Sequence, residues 1–502
     1  MTVANGLGSG WGLTTMLQSA LTHFTIEPNS AYAFLLGLSV GLLVYSVFVS
    51  PVYLSSLKHL PGPKDNAFFF GQTLKFLHVP WFPNLYLEWS RQWPDAPFIR
   101  YLGIANTETL FVNSIVAYKE ILQTKAACFV KPKFARTFAH ETIGDGLPFA
   151  EGQLHKLRRA AMMRTFSVPS LKASFPMVQE KARQWTDVLS EKKNEAGDKT
   201  VLDVIGMVTF SQDFNHLETD GSPLYNSFMN AMKPSTFGHI VNYLNSSFPI
   251  RKYLPIHELQ EAAFHREKAR DFIRAHVSAR LEALWKDEAA NGNAPDALQY
   301  LVEHSDSAWG KNEIVEYVLN LMAIHELSRR PEVQQRLRDE MKSLGNSLEN
   351  AIHNNINKLP FLHNFVREVL RLYCATAMVP REATCDIDIA GVPIPKGTVI
   401  QLSPAVMNLH PSVWGPTAGD FDPDRWDTLS GAAASPYAFE TFHNGPRMCV
   451  GKQLAIMEMK VMIVELVGRF RIEADGDGPL EIAQPTFTLR PKEKLVVRLV
   501  EL

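Results

Sequence analysis

The densest chemistry in the chain lies near its C-terminal end. Residues 442–451 read Phe-His-Asn-Gly-Pro-Arg-Met-Cys-Val-Gly, and a helical pattern follows directly. A loop that runs into a helix N-terminus presents unpaired backbone N–H groups. Such a place lowers a cysteine's pKa and holds its thiolate, as metal coordination also does. Gly445 permits a tight turn, and Gly451 lets a flat macrocycle approach the backbone. Arg447 is placed to pair with a carboxylate, and Phe442 to shield the Cys449 sulfur from water. The other cysteines, Cys128, Cys374 and Cys385, form no CxxC pair and no dense framework. They read as reduced thiols, each buried as a small hydrophobe by default.

Three charged segments lie upstream. Glu368-Val-Leu-Arg371 sits inside a helical pattern, its two charges on one face at i,i+3 spacing. Alone, such a pair is an ordinary solvated face. Phe421-Asp-Pro-Asp-Arg-Trp426 follows it, and His155-Lys-Leu-Arg-Arg159 precedes it as a basic helix face. Arg381 lies in Val-Pro-Arg-Glu, before the turn-rich segment Gly391-Val-Pro-Ile-Pro-Lys-Gly397.

In this order the segments resemble the cytochrome P450 family. The loop matches the family's cysteine-ligand signature, FxxGxRxCxG, at Phe442, Gly445, Arg447, Cys449 and Gly451. The resemblance implies a mainly α fold with small β-sheets and one haem b ligated by Cys449. It implies a monooxygenase that inserts one oxygen atom from O2 into a hydrophobic small molecule. It also implies a structural Glu-Arg-Arg network of Glu368, Arg371 and Arg425, with Asp424 where the family often has Glu. Arg447, Arg159, His155 (in place of the family's Trp) and Arg381 are the implied haem propionate contacts. Electrons would come from NADPH through a separate NADPH–cytochrome P450 reductase in the same membrane, with cytochrome b5 as a further candidate donor. The neighbourhood of Lys452 and Arg447 is the candidate docking patch. The style is that of microsomal fungal enzymes, many of which act in secondary metabolism on terpenoids, polyketides or fatty acyl chains. Candidate pocket elements are the loop 138–149, the region 207–210, and Ala377 to Val379, all mostly apolar.

One segment departs from the family. Its members carry a long helix across the distal haem face with an acid-alcohol pair that relays protons to dioxygen. Here the approach, Asn312 to Ala323, and the exit, Ile324 to Gln335, are normal. The middle is missing near residues 323–325, by roughly a dozen residues or more than three helical turns. A forced alignment puts His325-Glu326 on the motif, Leu327 in place of its Thr, and Pro331 arrives almost at once. The catalytic pair is therefore absent from this sequence. Two explanations stand: an in-frame piece lost through a mistaken gene model or splice form, or a haem-thiolate protein with redox-neutral or no catalysis.

These residues must be positioned by a large body. Helical patterns cover residues 261–284, 331–344, 359–373 and 452–470, with Glu332 and Arg336 spaced for an i,i+4 pair. Alternating runs at 387–390, 399–402 and 494–499 predict strands. No long linker, repeat or low-complexity tract divides residues 57–502, so one domain is expected. Lysine and arginine number 50 against 52 acids, net −2, which gives no field for nucleic acid. Residues 31–54 contain no charged residue, and as a helix they would span about 36 Å, enough to cross a bilayer. Residues 1–30 hold no Lys or Arg, while Lys58, His59 and Lys64 follow the run. The positive-inside rule then predicts a lumenal segment 1–30, a single transmembrane helix 31–54 and a cytoplasmic body at the endoplasmic reticulum. Leu60-Pro-Gly-Pro63 is a stiff break between anchor and body.

Overall fold

The computed structural model describes residues 28–79, 81–142, 147–191, 313–343, 353–476 and 495–502, with Leu489 and scattered positions between 257 and 271. It is mostly helical with small sheets, as expected. At the N-terminus α1 (Pro28–Val44) runs on as a π-helical stretch, Tyr45–Leu54. Residues Tyr32–Leu54 form a helix long and apolar enough to cross a membrane, with mean hydropathy 2.2. Two of its serines are satisfied locally: Ser39 Oγ donates to the Leu35 carbonyl at 2.8 Å and Ser46 Oγ to that of Leu43 at 3.0 Å. Pro51 lies in the π-helical stretch and interrupts its hydrogen bonding.

The helices that build the candidate site are α2 (Gly152–Thr165), α3 (Val168–Glu191), α4 (Glu313–Ser328), α5 (Pro331–Lys342), α6 (Pro360–Leu372) and α7 (Lys452–Arg469). Pro331 and Pro360 each open a helix at its first turn, where a missing N–H costs nothing. Glu340 of α5 caps α6: its two carboxylate oxygens accept from the N–H groups of Phe361 at 2.7 Å and Leu362 at 2.9 Å. Helix α7 is apolar nearly all round and buries Leu454, Met459, Val461, Ile463, Leu466 and Val467. That pattern belongs to a central helix, and α3, α4, α5 and α6 all pack on it.

A five-stranded sheet has the order β1-β2-β7-β4-β3: β1 (Phe98–Leu102), β2 (Glu108–Val112), β3 (Phe129–Val130), β4 (Val379–Ala383) and β7 (Val399–Leu402). Only β2 and β7 pair in parallel. Two antiparallel ribbons join β5 (Ile387–Ile389) to β6 (Val392–Ile394) and β8 (Phe470–Ala474) to β9 (Val497–Glu501). The expected strand at 494–499 thus begins later, at Val497. Most of the expected helix at 261–284 lies outside the described residues. The expected Glu332–Arg336 partnership is replaced: Arg336 reaches out of its helix to grip both carboxylate oxygens of Asp424, at 2.7 and 2.8 Å. A bidentate fork on a carboxylate is stronger than an exposed single contact along one helix.

Candidate active site

The cysteine loop is held in a defined shape. Cys449 N donates to the Phe442 carbonyl at 2.8 Å, closing the loop on itself. Cys449 is half-buried against the helical core, three residues before α7 begins, and Phe442 is buried. Gly445 has φ +72°, and a Cβ there would run into the Leu122 carbonyl. Both facts demand glycine. Gly451 caps α7 with φ −83°, a conformation open to any residue, so the turn itself does not require a glycine there.

Positive charge gathers beside this loop. Arg447 donates to the Ala150 carbonyl at 2.6 Å and to the Glu151 carboxylate. Its carboxylate partner in this structure is therefore Glu151, a residue that the sequence pattern does not single out. Arg159 reaches from α2 to the Met448 carbonyl at 2.6 Å, next to Cys449. His155, one turn earlier on α2, is buried, and burial with the Arg447, Arg159 and Lys131 charges pushes its pKa down to about 4. It is neutral at physiological pH. Arg381, in the middle of β4, is also buried, and burial pushes its pKa down to about 10. Its guanidinium bonds the neighbouring Pro380 carbonyl at 2.9 Å.

Two further members are residues that the sequence reading did not single out. Lys131, just after β3, lies 3.8 Å from Glu151, and its pKa falls to about 7 through burial and the Arg381 charge. His443, in the cysteine loop with φ +56°, falls to about 3 for the same reason, with Arg381 and Lys131 repelling a further proton. Among the described residues, Glu151 is the acid that faces Lys131, Arg381 and Arg447. The only sequence signal for Glu151 is its place one turn before His155.

The Glu368–Arg371 pair is no solvated face. Both side chains are fully buried, bonded at 2.8 and 2.9 Å. Glu368 also accepts from Asp422 N at 3.0 Å, Arg425 Nε at 3.3 Å and Trp426 Nε1 at 3.0 Å. Arg371 donates to the carbonyls of Asn408, Ala418 and Asp420. The pair thus ties α6 to the coil that leads toward the cysteine loop. Asn408 continues the link, donating to Thr441 Oγ1 at 2.7 Å and accepting from Glu440 N at 2.8 Å.

Helix α4 spans 16 residues and is followed after two residues by α5. Glu326 is buried, and its carboxylate takes bonds from the Tyr373 hydroxyl and Arg330. It therefore serves the junction of α4, α5 and α6 rather than standing in for a distal acid. A cavity of about 410 Å³ lies there, lined by Glu326, Arg330, Tyr373, Asp420 and Phe421 among others, with no residue of the cysteine loop. Of the candidate pocket elements, 377–379 is buried apart from Met378, the expected loop 138–149 begins inside a helix, Lys133–Thr142, and ends in a short helical turn, Leu147–Phe149, and 143–146 and 207–210 lie outside the described residues.

Comparison with known proteins adds independent findings. The family described as Cytochrome P450 matches residues 61–498. The chain is 28% identical to the cytochrome P450 monooxygenase sphH of Aspergillus fumigatus, covering 92% of each chain. It is 25% identical to the cytochrome P450 monooxygenase FUM15 of Gibberella moniliformis, covering 90% of this chain and 88% of that one. It is 26% identical to the cytochrome P450 monooxygenase buaD of Petromyces alliaceus, covering 93% and 92%.

Proposed function

Because this chain belongs to the cytochrome P450 family, whose members use haem b and NADPH-derived electrons delivered by a reductase, we propose that Cys449 ligates the iron of a monooxygenase acting on a hydrophobic product of secondary metabolism. A terpenoid, polyketide or fatty acyl chain fits that class. The observation that carries this reading is the buried Arg381 with the part-buried Arg447 and Lys131 around the carboxylate of Glu151, beside a half-buried thiol at a helix N-terminus. Buried cations in excess of their partners call for an anion. A macrocycle with two carboxylates and a thiolate-seeking metal answers both needs, so the residues present fit haem.

When bound, haem supplies oxygen activation at an iron whose thiolate ligand donates electron density and favours O–O cleavage. The chain's own residues do the rest. Arg447, Arg381, Arg159 and His155 would hold the propionates, His155 through a ring N–H. Phe442 keeps water from the sulfur. Glu368, Arg371 and Arg425 fix the coil that sets the loop's position. Residues 1–30 are lumenal, 31–54 anchor the chain in the endoplasmic reticulum, and 57–502 form the cytoplasmic catalytic domain, open to the reductase and to cytochrome b5. The candidate docking charge near the loop is Lys452, half-buried beside the Phe442 ring.

A reduced carbon monoxide difference spectrum of the full chain in microsomes tests this reading. A thiolate-type Soret band that vanishes in Cys449→Ser is expected; a band that survives the substitution overturns the assignment.

A second reading concerns competence. Among its described residues α4 offers no acid-alcohol pair, since Glu326 is committed to Tyr373 and Arg330. The working enzyme then carries about a dozen more residues near Ala323, some three helical turns. Sequencing the transcript across this point decides it. A continuous message without extra codons leaves a haem-thiolate protein with redox-neutral or no catalysis.

A further inference from the structure

We infer that Cys128 and Cys385 form a redox-modification site, a thiol pair that a peroxide converts to a disulfide across the edge of the five-stranded sheet. The two residues stand far apart in the chain and meet only where β3 pairs with β4.

The register brings them together. Phe129 opposes Ala383 and Val130 opposes Glu382, so Cys128 opposes Thr384. The Cys128 carbonyl accepts from Thr384 N at 2.9 Å and from Thr384 Oγ1 at 3.1 Å. On a straight strand Cys385 would point to the face opposite Cys128. The chain instead bends at residues 384–385, and the two thiols hydrogen-bond each other. Both neighbours of Cys385 are held in place. Thr384 is bonded to Cys128, and Asp386 Oδ1 accepts from Lys396 N at 2.7 Å. Opposed residues of antiparallel strands lie about 4.5–5.5 Å apart, inside the roughly 4.4–6.8 Å that a disulfide spans between Cα atoms. A bridge one step along from an opposed pair asks little of the backbone.

Access and chemistry agree with the geometry. Cys128 and Cys385 are both half-buried, whereas Cys374 is fully buried in the helical core. A water-borne oxidant therefore meets the pair before it meets Cys374. The Cys385 thiol raises the pKa of Cys128, burial adds to the rise, and the Lys125 charge opposes it. Cys128 is thus the partner that keeps its proton, and Cys385 the one that meets the oxidant. The Cys385 sulfur attacks one peroxide oxygen and breaks the O–O bond. Its proton goes to the departing oxygen, which leaves as an alcohol or as water. The Cys128 sulfur then attacks the resulting sulfenic acid. The S–S bond forms, and the hydroxyl leaves with the Cys128 proton as water. Each sulfur gives up one electron, and the peroxide takes both.

The bridge staples two strands that carry charge of the candidate site. Lys131 directly follows β3, and Arg381 sits within β4. On the cytoplasmic side of the membrane, a placement that rests on the function proposed above, such a bond is a reversible signal rather than a permanent brace.

The test exposes the full chain in microsomes to hydrogen peroxide. Remaining thiols are alkylated in denaturant, and the peptides are read by mass spectrometry. A peptide pair joined through Cys128 and Cys385, and parted again by dithiothreitol, is expected, with Cys374 recovered as an alkylated thiol. In the purified full chain in nanodiscs, the same treatment should raise the thermal midpoint by about 2–4 °C. Cys128→Ser and Cys385→Ser, each on its own, should abolish both the linked pair and the rise. Recovery of both residues as free thiols, as separate sulfinic acids, or joined to other cysteines overturns the site. A linked pair with an unmoved midpoint overturns the staple.

Discussion

Glu368 accepts five hydrogen bonds while fully buried, and Arg371 beside it is equally dry. Removing one partner strands a buried charge, so Glu368→Ala should cost about 3–5 kcal/mol. Chemical denaturation of the haem-free and haem-loaded chain measures it. A loss no larger than that of a surface glutamate would mean the network is not structural. Sequence spacing put Glu368 and Arg371 on one helix face; it did not show that the face is buried, because the covering coil comes from residues some fifty positions away. The cation cluster was legible only in part for the same reason. His155, Arg159, Arg381 and Arg447 stand in recognisable runs, whereas Lys131, Glu151 and His443 are unremarkable in sequence and meet only in space. Glu440 offers a second residue-scale prediction. Burial pushes its pKa up to about 8, above the ordinary 4.5, although Asn444 donates to one oxygen. The folded state then holds a proton that the unfolded chain releases. Glu440's contribution to stability is fully present below pH 4.5, falls as pH rises toward 8, and is lost above that. Lys131, depressed to about 7, acts in the opposite sense at higher pH. The difference in unfolding free energy between the chain and Glu440→Gln isolates the Glu440 effect; a difference that does not grow between pH 5 and 8 refutes it.

Among the elements, α4, α5 and β8 are stapled by one side chain. Gln334 is fully buried; its amide donates to the carbonyls of Leu327 and Ile472, both at 2.7 Å, and its oxygen accepts from Ile472 N at 3.0 Å. Gln334→Leu keeps the volume and deserts these groups, at a cost of about 2–3 kcal/mol. A thermal midpoint within a degree or so of the parent's would show that water replaces the amide. Gly445→Ala acts on the loop instead: strain at positive φ and the Leu122 carbonyl should shift Cys449, lowering haem occupancy per chain in an absorbance-to-protein ratio. The ends of α5, α6 and α7 fell within two residues of the sequence pattern because prolines and a change of periodicity mark them. The β9 boundary did not, since nothing in an alternating run says where its partner Phe470–Ala474 begins pairing.

For the whole molecule, composition and patterning were enough to give a mainly helical body with small sheets and an apolar N-terminal helix. The attachment between the two was not visible, because Arg100 and Glu108 have no spacing that points back to Pro51 or Ser55, to which they bond. With its span in the bilayer, the full chain should stay in the pellet after alkaline carbonate washing of microsomes; release into the supernatant would reduce Tyr32–Leu54 to a surface segment. Where Tyr32–Leu54 spans a bilayer as proposed, the bonds from Arg100, Lys58 and Glu108 to the end of that helix also set how the body is carried. A head on a loose tether swivels and samples every tilt, so only a fraction of its collisions present the right side. A head bolted to its stalk has one heading. Its meetings with other residents of the same membrane become a search over two coordinates and one spin angle, governed by how crowded the membrane is rather than by concentration in the surrounding fluid.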